Sequence, residues 1–122
     1  MYTVTIETSF SASHQLTYSC GEIEELHNHD WLVRACVSTD YLDENGLAVD
    51  FIDLKVHLEK ITAAFEGKQL EDMDCFGAIN ASAENVAKYI YDQLNPLLPE
   101  TSTLEYIEVM EAAGCWAKYS KN

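Results

Sequence analysis

From Leu104 to Met110 the chain reads Leu-Glu-Tyr-Ile-Glu-Val-Met, and Ile107 and Val109 alternate with Leu104, Tyr106 and Met110. A strand buried on one face carries apolar residues at every second position, whereas this stretch carries them in both sets. It needs cover on both sides. The 122 residues of the chain suffice for one hydrophobic core but leave too little to build a second layer over the far face. That face is expected to meet another subunit.

Upstream, Tyr2, Val4, Ile6, Thr8 and Phe10 alternate with Thr3, Thr5, Glu7 and Ser9, the period of a half-buried strand that His14 closes. A second strand is expected from about Asn28 to Tyr41, with Trp31, Val33, Ala35 and Val37 on one face. The loop between them holds Ser19, Cys20, Gly21, Glu22, Glu24 and Glu25. After the Asn45-Gly46 turn, Asp50 and Asp53 begin a helix with Leu54, Leu58, Ile61 and Phe65 as its apolar stripe, and Gly67 ends it. Ser82 caps a second helix that buries Ala83, Val86, Ala87, Ile90 and Leu94 until Pro96 stops it. Strands from about Leu104 to Glu111 and Cys115 to Tyr119 follow, joined at Ala113-Gly114. This order predicts an α+β fold: a four-stranded antiparallel sheet of two hairpins with two helices on one face. With no repeat, low-complexity tract or linker, residues 1–122 are expected to form one domain.

Seven Lys plus Arg against 21 Asp plus Glu give a net charge of −14. Nucleic acid and anionic membranes are poor partners for such a chain. The segment Met1 to Glu7 lacks a positive start, and no apolar run approaches the roughly 18 residues of a membrane span. A cytoplasmic protein is expected. Cys20, Cys36, Cys75 and Cys115 form no Cys-x-x-Cys pair, which fits reduced thiols.

Chemistry concentrates in His14, His27 and His29. His27 and His29 stand two apart at the entrance of a strand, so both imidazoles project from one face, and a hairpin brings His14 beside them. Three converging imidazoles make a tetrahedral zinc site with one position open. The competing reading is a pair of surface histidines that fall two apart by chance, and the loop of Cys20, Glu22, Glu24 and Glu25 beside them favours a site. His57, alone on the first helix, reads as a solvated or hydrogen-bonded histidine.

At these residues the sequence resembles the 6-pyruvoyl-tetrahydropterin synthase and 6-carboxy-tetrahydropterin synthase family. Phe10-Ser11-Ala12-Ser13-His14 is similar to the family's Phe-Ser-Ala-x-His, and His27-Asn28-His29 to its His-Gly-His. Val49-Asp50-Phe51-Ile52-Asp53-Leu54-Lys55 resembles Val-x-Asp-Phe-x-Asp-Leu-Lys, and Asn80-Ala81-Ser82-Ala83-Glu84-Asn85 resembles Asn-Pro-Thr-x-Glu-Asn. Glu111 stands where the family has Glu-Thr. The resemblance implies the tunnelling fold, in which three subunits close a β-barrel and two trimers stack into a hexamer with active sites between subunits. It also implies zinc on His14, His27 and His29, and Glu111 and Ser82 as residues that bind a pterin substrate. A carboxylate suits that role, because the pterin's amino group and adjacent ring N–H are two parallel donors.

The family's usual base is a cysteine shortly before the His-x-His pair, activated by a histidine after Leu-Asp. Here Cys20 stands seven residues before His27, and the later segment reads Leu70-Glu71-Asp72 without that histidine. Cys20 thus lacks the cationic neighbour that makes a thiol nucleophilic. Glu24 stands three before His27, where a branch of the family uses glutamate and cleaves dihydroneopterin triphosphate to 6-hydroxymethyl-dihydropterin. A carboxylate base needs no activating histidine. Asn28, Ala81 and Ala112 are further departures from the family pattern. The expectation is a zinc-dependent lyase acting on the side chain of dihydroneopterin or its triphosphate, with Glu24 ahead of Cys20 as base. The alternatives are a 6-carboxy-tetrahydropterin synthase of queuosine synthesis using Cys20, and a non-catalytic pterin- or zinc-binding paralogue.

Overall fold

The computed structural model describes residues 1–121. Along the chain come β1 (Tyr2–His14), β2 (His27–Thr39), α1 (Phe51–Ala63), α2 (Ala83–Leu94), β3 (Thr103–Ala112) and β4 (Cys115–Tyr119). The strands form one antiparallel sheet in the order β1-β2-β3-β4. Among the described residues, no helix is long and apolar enough to cross a membrane.

The two helices start where side-chain caps relieve their unpaired amides. Asp50 accepts from the Ile52 N–H at 2.8 Å, and Ser82 accepts from the Asn85 N–H at 3.2 Å. α2 stops at Leu94, before Pro96, which falls inside a single 3-10 turn at Asn95–Leu97. Proline has no N–H to donate to the carbonyl four residues back, so the α-helical ladder cannot run on through Pro96. Both helices press their apolar sides on one sheet face. Leu54, Leu58, Val86, Ala87, Ile90 and Leu94 pack there with Ile6, Phe10, Trp31, Val33, Ala35 and Val37.

Leu104 departs from the alternation read in the sequence. It is buried in this same core with Ile107 and Val109, rather than on the opposite face with Tyr106 and Met110. The cause is a register shift: Cys36 pairs with Tyr106 but Val37 pairs with Leu104, so Glu105 is an extra residue on β3. A bulge of this kind reverses the facing of everything on one side of it.

The far face is consequently more polar than expected. Arg34 reaches Glu7 at 2.8 Å and Glu108 at 3.7 Å, and its guanidinium lies over the Trp116 ring. Leu32, Met110 and Tyr106 remain only half-buried beside them. Neither helix covers this face.

Candidate metal centre

The β1–β2 register builds the centre. His14 pairs with His27, and Ala12 pairs with His29. Cross-strand partners share a face, so all three imidazoles lie on the helix-covered side at one end of the sheet. Ring centroids are 4.4 Å apart for His14 and His27, and 4.6 Å for His27 and His29. Trp31 forms the floor: its ring stacks on Phe10, meets His14 edge-on at 4.9 Å, and its Nε1–H donates to the Ala12 carbonyl at 3.2 Å.

Glu111 completes the group. Met110 pairs with Trp116 and Ala112 with Cys115, so Glu111 is the extra residue of a second β3 bulge. Bulges re-aim side chains, and this one sends the carboxylate to within 3.1 Å of His14 Nε2 and 3.9 Å of His29 Nε2. One ligand atom from each of His14, His27, His29 and Glu111 lies within 4.8 Å of every other.

Hydrogen bonds set which nitrogens face inward. His14 Nδ1 lies 2.8 Å from the Ala81 carbonyl, and His27 Nδ1 lies 2.8 Å from the Glu25 carbonyl. A carbonyl only accepts, so each Nδ1 carries a proton and each Nε2 is the nitrogen turned toward the cluster, the arrangement that orients imidazoles for a metal. His14 is 1% exposed, and its Nε2 has no hydrogen-bond partner. Burial lowers the His29 pKa from 6.5, and the neighbouring His27 lowers it further, while Glu111 opposes the shift. His29 is thereby held toward the neutral form that a metal needs. The donor set fits zinc, for which imidazole and carboxylate are ordinary ligands.

Glu24 stands at the rim. Its Oε1 accepts from the Leu16 N–H at 3.0 Å and lies 3.8 Å from His27 Nε2, and its Oε2 accepts from the Tyr18 hydroxyl at 3.4 Å. The Glu24 charge raises the Tyr18 pKa above 10.0, so the phenol remains a donor. A miniature hairpin carries Glu24: Thr17 bridges Ile23, and the Glu24 N–H donates to the Leu16 carbonyl at 2.9 Å. Its turn closes at Gly21, where φ is +92°, a conformation glycine adopts without strain. Cys20 sits exposed in that turn, outside the converging set.

Asn80 fixes this hairpin to the body of the protein. Its Oδ1 accepts from the Thr17 N–H at 2.9 Å and its Nδ2 donates to the Thr17 carbonyl at 3.0 Å. Glu71 adds a third tie, accepting from the Gln15 N–H at 3.1 Å. Neither Asn80 nor Glu71 stood out as a site residue in the sequence, and the family-like Asn-x-x-x-x-Asn spacing was the available signal for Asn80. Ser82 spends its hydroxyl on the α2 cap and lines a cavity of about 240 Å³ with Glu84, Glu111 and Trp116. His57 lies half-buried on α1 and is not part of the converging set.

A four-stranded antiparallel sheet backed by two helices, with a metal-competent cluster at one sheet end, is the single-chain architecture of the tunnelling fold. The family described as 6-pyruvoyl tetrahydropterin synthase matches residues 3–122, and the chain belongs to that family of pterin-modifying enzymes. It is 29% identical over 123 residues to the 6-carboxy-5,6,7,8-tetrahydropterin synthase of Synechocystis, covering 98% of this chain and 93% of that one. It is 33% identical over 106 residues to the 6-pyruvoyl tetrahydrobiopterin synthase of Homo sapiens, covering 75% and 72%. In three dimensions it is similar to Caenorhabditis elegans 6-pyruvoyl tetrahydropterin synthase, with a TM-score of 0.83 at 22% identity over 100% of this chain and 98% of that one. It is also similar to Plasmodium vivax 6-pyruvoyltetrahydropterin synthase carrying an alanine in place of a catalytic glutamate, with a TM-score of 0.76 at 18% identity over 99% and 98%.

Proposed function

We propose that this protein is a zinc-dependent lyase that shortens the side chain of a dihydropterin, yielding 6-hydroxymethyl-dihydropterin. The observation that carries this reading is Glu24 Oε1 at 3.8 Å from His27 Nε2, a carboxylate at the metal cluster, while Cys20 stands exposed in the turn. The catalytic glutamate of the similar Plasmodium vivax protein supports it. His14, His27 and His29 would hold the zinc, which when bound polarises side-chain oxygens and eases loss of a proton beside them. Glu111 and Ser82 border the cavity next to the cluster, where the Glu111 carboxylate can accept the pterin's amino and ring N–H donors together.

Glu24 takes the proton of the hydroxyl borne by the carbon at the far end, from the ring, of the bond that breaks. That oxygen becomes the carbonyl of a departing two-carbon aldehyde, and the electrons of the broken C–C bond enter the ring's C=N bond. The same carboxyl group then returns its proton to the carbon left on the ring, so protons and electrons balance. The Leu16 N–H and the Tyr18 hydroxyl hold the carboxylate in position throughout.

A second reading is favoured by the near full-length Synechocystis relative: formation of 6-carboxy-tetrahydropterin with Cys20 as base. Zinc-loaded protein incubated with dihydroneopterin and with its triphosphate, followed by mass identification of the products, separates the two. The 6-hydroxymethyl product is expected. A 6-carboxy product selects the second reading, and no conversion of either compound selects a binding paralogue.

A further inference from the structure

His14 carries a polar atom that nothing in the protein satisfies. With Nδ1–H committed to the Ala81 carbonyl, Nε2 is buried and without a hydrogen-bond partner. The group facing it is the Glu111 carboxylate, with Oε1 3.1 Å away. Two electron-rich atoms this close, at a residue 1% exposed, repel one another unless something positive lies between them. A metal cation answers His14, His27, His29 and Glu111 at once.

A centre closed by four protein groups is nevertheless the pattern of a structural zinc, whereas a reacting centre keeps one position open. One of the four must be able to leave. His14 is pinned by Ala81 and His27 by Glu25, and His29 stands in unbroken strand register opposite Ala12. Glu111 accepts no protein hydrogen bond among the described residues, sits on a β-bulge, and has a side chain 28% exposed at the wall of the cavity it shares with Ser82 and Trp116.

We infer that Glu111 is the fourth metal ligand of the resting protein and leaves the metal to accept the ring donors of the substrate. The same carboxylate thus closes the centre when the cavity is empty and opens it when a ring with paired N–H donors arrives. Substrate hydroxyls replace the lost ligand. The exchange half of this inference rests on the pterin reading above; the ligand half does not. Because the ring and the metal share one carboxylate, the coupling is reciprocal. A dihydropterin without side-chain hydroxyls weakens metal binding, and one with hydroxyls spares it.

Cobalt(II) substitution tests both halves without turnover. The wild-type protein is expected to show the intense visible bands of four-coordinate cobalt. In Glu111→Gln those bands change and zinc affinity falls by more than the roughly 10- to 100-fold that losing a group outside the coordination shell costs. Unchanged bands and unchanged zinc affinity in that variant would overturn the assignment. Should Glu111→Gln fail to fold by circular dichroism, the wild-type protein decides. Saturation with 7,8-dihydropterin, followed by its fluorescence, is expected to alter the cobalt bands and release zinc more readily, and unaltered bands at saturation refute the exchange. If 7,8-dihydropterin does not bind at all, the pterin reading and the exchange both fall, while the zinc affinity and bands of Glu111→Gln still decide whether Glu111 is a ligand.

Discussion

Ala12 stands directly across from His29 in the β1–β2 register, so its methyl group and the His29 imidazole share one face of the sheet. Ala12 is completely buried, so a larger side chain there has nowhere else to go. Ala12→Leu is expected to cost about 1–3 kcal/mol through overpacking and to displace His29 from the cluster. Thermal denaturation reads the first effect and zinc content the second. A variant that binds zinc as tightly as the parent would show that His29 does not depend on this spacing.

Glu24 and Cys20 lie in one small hairpin but in different surroundings, the carboxylate at the cluster and the thiol exposed in the turn. If Glu24 is the base, Glu24→Gln should reduce kcat by about 100-fold or more, the scale of general base catalysis, with zinc retained. Cys20→Ala should leave kcat nearly unchanged, since the thiol is exposed and outside the converging set. The reverse ranking of the two variants would move the protein to the cysteine reading.

Much of this site was legible because strand geometry is periodic. His27 and His29, two apart in a strand, must share a face, and closing β1 at His14 brings the third ring opposite them. Ser82 and Asp50 were legible as caps because capping is local. Two bulges were not. Nothing in the alternation of β3 announces that Glu105 and Glu111 are extra residues, yet the first moves Leu104 into the core and the second turns Glu111 toward His14. The ties from Asn80 to Thr17 and from Glu71 to Gln15 were equally hidden, because they join segments more than 50 residues apart and no local pattern encodes such pairs.

Asn80 makes two hydrogen bonds to the backbone of Thr17, and that backbone leads into the hairpin bearing Glu24. Each bond is worth about 0.5–1.5 kcal/mol, so Asn80→Ala should destabilise the fold by roughly 1–3 kcal/mol. If the tie also positions the base, kcat should fall while KM for the pterin stays close to its original value. A rise in KM with kcat intact would instead place Asn80 in substrate binding.

The far face of the sheet bears on assembly. Leu32, Met110, Tyr106 and Trp116 stay partly exposed there, and β1 and β4 are both edge strands. Unpaired edges invite pairing with another copy, and joining the β4 edge of one subunit to the β1 edge of the next would close a barrel around this face. Sedimentation in dilute buffer is expected to show a trimer or a hexamer. A stable monomer at micromolar concentration would contradict it.

Charge decides which form of the substrate suits the cavity beside Glu111. The wall consists of Leu16, Ser82, Ala83, Glu84, Glu111, Cys115, Trp116 and Ala117, with two carboxylates and no lysine or arginine. Elsewhere Arg34 is engaged by Glu7 and Glu108, Lys55 by Glu59, and Lys88 by Asp92. Lys118 lies over the Tyr106 ring on the far face of the sheet. A triphosphate brings several negative charges toward a chain of net charge −14, and assembly multiplies that field. Unphosphorylated dihydroneopterin is therefore expected to show a kcat/KM at least equal to that of its triphosphate at low salt. Added salt should raise the triphosphate value and leave the other nearly unchanged, because screening shortens the reach of the repulsion to about 8 Å near physiological ionic strength. Steady-state rates with both substrates across a salt series measure this directly. A triphosphate preferred at low salt, and losing that preference as salt is added, would mean that a neighbouring subunit supplies the cations this cavity lacks.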